Sequence, residues 1–153
     1  MASSIPAALD YLVAAVRDLP EAGPPVAVSD GWPVQRSDDE IVIGIDTDDG
    51  NSQVGADYAQ LSRMEEEEVA VPCVVAVRRG GSDAASAART AAFGLLDAVR
   101  GLVASDRTLG GAVRQGLPAR VAGWAMAQTS DAQQAGEGRV CQITFILTWR
   151  HRG

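Results

Sequence analysis

Two hydrophobic periods alternate along this chain. Near the start, Leu9, Leu12, Val13, Val16 and Leu19 recur every three or four residues, which places them on one face of a helix. Ser3, Ser4 and Pro6 suit the beginning of that helix, and Pro20 marks its end. A longer helical stripe follows later: Ala88, Ala91, Ala92, Leu95, Leu96, Val99, Leu102 and Val103, within a helix predicted over residues 82–104 with Ser82 as N-cap. A short helical turn is expected over 105–113.

Between and after these helices the period falls to two or the runs become β-branched. Short apolar runs at 26–29 and 41–45 read as strands, separated by turn chemistry at Asp30-Gly31 and residues 37–39. Residues 69–77 are rich in valine and predict a long strand, kinked or interrupted at Pro72. Another strand is expected at 120–128. The last, at 139–150, alternates cleanly, with Cys141, Ile143, Phe145, Leu147 and Trp149 on one face and Gln142, Thr144 and Thr148 on the other. The polar stretch 46–57 reads as a long loop. Together the elements predict an α+β fold, a mostly antiparallel sheet packed against two helices, with residues 1–153 as a single domain.

Composition narrows the function classes. Apolar residues are 46% of the chain and charged residues 22%, so a packed core is expected and disorder is not. No apolar run approaches the roughly 20 residues that span a bilayer, and no basic segment followed by an apolar stretch and cleavage site opens the sequence, so neither membrane insertion nor export is expected. A net charge of -7 argues against a general nucleic-acid-binding surface.

Catalytic chemistry finds little purchase. The single histidine, His151, lies close to the end of the sequence and reads as a solvated tail residue. Cys73 and Cys141 sit in apolar strand-like runs and are expected as reduced buried thiols. No serine occupies a Gly-x-Ser-x-Gly elbow. Asp46, Asp48 and Asp49 resemble the start of a calcium loop, but Gly50 stands where an oxygen ligand is needed and Asn51 where glycine is needed, so a solvated turn is the better reading. Arg78 and Arg79 precede Gly80-Gly81-Ser82 at a strand-to-helix junction, yet the P-loop ending is missing. No catalytic residue, metal or cofactor is therefore assigned. Glu65, Glu66, Glu67 and Glu68 are four adjacent carboxylates in or beside a strand, an arrangement that invites a partner or a water-filled space, although an outward solvated face is as good a reading.

In the order, length and texture of its elements the chain resembles the tail terminator family of long-tailed bacteriophages. The resemblance rests on the amphipathic N-terminal helix, the early strand pair, the acidic-to-apolar strand 65–77, the alanine-rich helix 82–104 and the closing strand 139–149. It implies a structural virion protein without enzymatic activity: a ring, usually of six subunits, that caps the tail tube and docks it to a head-tail connector or stopper in the neck. It further implies that the protein is made in the host cytoplasm and resides in the virion tail, and that DNA passes through the ring without specific binding. On that reading Glu65 to Glu68 are candidate channel-lining residues, some solvated and others paired with a neighbouring subunit's arginines, and replacing all four with glutamine should leave folding intact but slow DNA passage or weaken ring closure. Asp46, Asp48, Asp49, Arg78 and Arg79 are candidate subunit contacts. Alternatives are another neck component, such as a head-tail stopper or connector, a small ligand-binding α+β dimer, or an enzyme whose residues the sequence does not reveal.

Overall fold

The computed structural model describes residues 2–33, 36–45, 54–61, 64–130 and 138–153. The fold is α+β: two helices and a six-stranded, mostly antiparallel sheet. In chain order the elements are α1 (Ile5–Arg17), a 3-10 turn (Pro20–Ala22), β1 (Ala27–Asp30), β2 (Asp39–Ile43), β3 (Gly55–Leu61), β4 (Met64–Gly80), α2 (Ala84–Ser105), β5 (Arg120–Ser130) and β6 (Gly138–Arg152). The sheet order is β1-β2-β4-β6-β5, with β3 beside β4, and among the described residues only the β1–β2 pair is parallel.

β4 organises the sheet. One side of this 17-residue strand pairs with β6 from Glu66 to Gly80. The other side is shared: β2 takes residues 73–77 and β3 takes 64–70. Pro72, which has no N–H to donate, falls in the gap where the edge passes from β2 to β3, so the strand runs on through it without losing a ladder bond there. The interruption expected at Pro72 is therefore a handover between two partners. β3 is an addition to the expected elements, since its first residues fall inside the polar stretch 46–57.

Both helices pack on one sheet face. Leu12, Val13 and Val16 of α1 and Leu95, Leu96, Val99 and Val103 of α2 meet the alternating row Cys141, Ile143, Phe145, Leu147 and Trp149, all buried in one cluster. α2 starts one or two residues later than expected: its cap position is Asp83, not Ser82, and no side chain caps it. Residues 107–112 form turns instead of a further helix. There Asp106 accepts hydrogen bonds from the Thr108 hydroxyl (2.6 Å) and the Gly110 N–H (3.0 Å). Those bonds and one from Tyr11 hold its pKa at about 2. Gly110 has a positive φ of 69°, and a Cβ there would strike the Tyr11 ring.

Among the described residues the opposite sheet face carries no helix. Val42, Ile45, Val74 and Ala76 form a small second cluster on it. Beyond them a shallow depression of about 590 Å³ is lined by Ile45, Pro72, Ala125, Thr144 and Ile146, among others. Among the described residues no helix is long and apolar enough to cross a membrane.

Candidate functional site

The glutamate run lies at the start of β4, just after Met64, and strand periodicity splits it. Val69, Val71, Cys73, Val75 and Val77 point to the helices, so Glu67 shares their face, while Glu66 and Glu68 take the open one. Antiparallel pairing sets Glu66 across from Arg152 and Glu68 across from Arg150. Arg152 Nε donates to Glu66, and Arg150 reaches both Glu68 (3.3 Å) and Glu66 (3.8 Å). Two acidic and two basic side chains thus form a cross-strand ladder within one chain. The arginines expected from a neighbouring subunit are supplied by β6 of the same molecule.

Glu67 has a different fate. It is fully buried, at 0% exposure, under the start of α1. Its carboxylate accepts hydrogen bonds from Ser3 Oγ, from the backbone N–H of Ser4 (2.8 Å), from Ser4 Oγ (2.6 Å) and from the Tyr58 hydroxyl (3.1 Å). Trp149 Nε1 donates to Ser4 Oγ (2.9 Å), which ties the same helix end to β6. The first turn of a helix leaves backbone N–H groups unpaired and carries partial positive charge, so a carboxylate is well placed there. The N-cap residue Ser4 makes no side-chain cap bond, the Ile5 N–H donates to Ser3 Oγ (3.2 Å), and Glu67, 63 residues away, takes the Ser4 N–H. Burial pushes the Glu67 carboxyl up, but the bonds from Ser3, Ser4 and Tyr58 together outweigh it, and its pKa lies below the ordinary 4.5. Tyr58 is pushed up in turn, because its hydroxyl donates to that carboxylate.

Channel lining is thus closed to Glu67, and Glu66 is buried as well; Glu65 and Glu68 are the exposed members of the run. His151 is also not a tail residue. It lies opposite Glu67 in the β4–β6 ladder, is only 9% exposed, and its Nδ1 accepts a hydrogen bond from the backbone N–H of Arg114 (3.1 Å).

At the other end of β4, Arg79 clasps Asp39 of β2 through both guanidinium nitrogens, the second bond at 2.9 Å. That pairing raises the Arg79 pKa further, so its charge is already committed inside the chain. Arg78 is half-buried, and its backbone N–H donates to the carbonyl of Asp38 (2.8 Å). Asp46, Asp48 and Asp49 lie outside the described residues. Burial raises both thiols, Cys73 to about 12, so neither is poised as a thiolate. Among the described residues no three His, Cys, Asp or Glu side chains gather to hold a metal ion.

The strand expected at 120–128 is present as β5 (Arg120–Ser130); what the sequence reading did not single out is its exposed edge. β5 is an edge strand of eleven residues whose one charged side chain is Arg120, at its start. Trp124 is 51% exposed and Met126 40% exposed. Trp124 meets Phe93 of α2 edge-on, with ring centroids 5.1 Å apart. A signal was present, since Val121 to Thr129 contains no charge in a chain that is 22% charged, but only the strand order shows that this segment is an edge. Comparison with models of known protein families gives no match, and comparison with curated proteins gives none either.

Proposed function

We propose that this protein is a structural subunit of a phage-type neck, a tail terminator that closes into a ring, with six copies as the expected number. The observation that carries the reading is the β5 edge. Natural proteins blunt exposed sheet edges with charge, proline, a bulge or a covering segment; β5 has Arg120 and a bulge between Val121 and Gly123 at one end, while the rest of the strand is uncharged and exposes Trp124 and Met126. An edge of that kind is suited to permanent burial in an assembly. The succession of elements, which resembles the terminator family, supplies the kind of assembly.

In this reading the ring caps the tail tube and meets a connector or stopper, while DNA passes through an opening that the net charge of -7 keeps from binding phosphate. Glu65 and Glu68 are the carboxylates of the run available to face that opening. Catalysis has no part in it. A small ligand-binding dimer is the second reading, favoured by the depression of about 590 Å³ on the open sheet face. Native mass spectrometry separates the two. A ring of six gives six times the 15.9 kDa of one chain, and a mass of two chains supports the dimer instead.

A further inference from the structure

We infer that β5 of one copy pairs edge to edge with β3 of the next, so that the sheet runs continuously from subunit to subunit; this rests on the ring reading above and specifies its contact. The sheet offers the two halves of such a joint. β5 is one open edge, and β3 is the outer strand against the first part of β4 on the other side. The seven residues of β3 fit within the uncharged length of β5, and the described side chains Asp57, Tyr58, Ala59 and Gln60 are exposed.

Charge selects this partner over a second β5. Arg120 opens β5, and Arg100 and Arg107 line the same depression of about 230 Å³ beside it. At the far side of the molecule Asp57 of β3 lies next to Glu68, with Glu65 close to the end where Leu61 pairs with Met64. Antiparallel pairing of β5 with a neighbour's β3 brings the Arg120 end toward the Leu61–Met64 end, where Glu65, on the helix side by alternation with Glu67, meets the Arg100 and Arg107 corner beside the other copy's β5. Arg120, whose strand partner is Thr148, and Asp57, whose partner is Glu68, share the helix-free face, but four residues separate Asp57 from the Leu61 end that Arg120 approaches, so the two are not a facing pair. Pairing β5 with its own copy about a two-fold axis would gain no such attraction. A contact between two different edges is head-to-tail, the kind that closes into a ring when its rotation permits.

The test uses two variants of the full chain at exposed positions. Arg120→Glu with Ala127→Glu makes the β5 edge acidic, and Asp57→Arg with Ala59→Arg makes the β3 edge basic. Each alone should melt like the wild type yet run as a monomer by native mass spectrometry, because the added charges are then buried in the joint without a partner of opposite sign. Mixed in equal amounts they should return to the wild-type mass as a ring of alternating copies, since every joint is again complementary. If either variant melts early, Met126→Lys and Ala59→Lys replace it as single changes, each still expected to disperse the ring. A wild-type ring that survives the β5 changes overturns the inference and leaves the ring reading standing. A two-fold dimer lost only on changing β5 overturns both, as does a wild-type chain that stays monomeric at its highest soluble concentration.

Discussion

Removing the Glu67 carboxylate should unfasten the first helix from the sheet, and its size can be worked from the bonds. Four hydrogen bonds converge on a fully buried anion, two from Ser4 and one each from Ser3 and Tyr58. In Glu67→Gln the amide oxygen can still take both Ser4 bonds. The amide nitrogen can then donate to the Ser3 and Tyr58 hydroxyls, which rotate to accept. What is lost is the charge assistance and the match to the helix end, about 1 to 2 kcal/mol. Glu67→Ala leaves the Ser4 N–H buried without an acceptor and opens a cavity besides, which together should cost about 3 to 5 kcal/mol. For a domain of this size each kcal/mol moves the melting temperature by roughly 2 to 4 °C.

The pH dependence gives a second handle. The folded pKa of Glu67 lies below its unfolded value, so the folded state binds this proton less readily than the unfolded one. Its stabilisation is therefore present above the unfolded pKa and is lost as the pH falls through the folded one. Urea unfolding followed from neutral to acid pH should show the gap between wild type and Glu67→Gln shrinking below the ordinary 4.5. A Glu67→Ala protein that melts with the wild type, or a gap that does not change with pH, would refute the argument.

Three further outcomes follow from the same packing. Phe145, 1% exposed at the centre of the core, should cost about 3 to 5 kcal/mol when changed to alanine, read by urea unfolding; an unchanged midpoint would remove it from the core. Gly116 lies against the backbone carbonyl of Arg150, where an added Cβ must force one segment away, so Gly116→Ala should lower the melting temperature by several degrees, on the order of 1 to 3 kcal/mol. Cys73 and Cys141 are buried, so a thiol reagent should titrate them rapidly only after denaturation; prompt reaction of the native protein would contradict their burial.

The parts of the fold that sequence alone reveals are those whose burial is written in periodicity. The stripe from Ala88 to Val103 and the alternation from Cys141 to Trp149 meet in the core as expected because each has one wholly apolar face. β3 has no such face: Gly55, Asp57 and Gln60 break the pattern, and β4 supplies its strand character by pairing. The glutamate run is illegible for a related reason. Glu66 and Glu68 are tolerable in a strand because Arg152 and Arg150 stand opposite them, and that register depends on a strand more than 80 residues away. Likewise His151 escapes the solvated tail assigned to it because β6 keeps its pairing with β4 as far as Arg152. The expectation that four glutamines would leave folding intact now divides, with tolerance at Glu65 and Glu68 and a loss at Glu67.

Assembly is the central claim, and imaging tests it most directly. Class averages of the purified full chain by negative-stain electron microscopy should show closed rings with six-fold symmetry and an open centre. Isolated single subunits, or two-fold particles without an opening, would contradict the account.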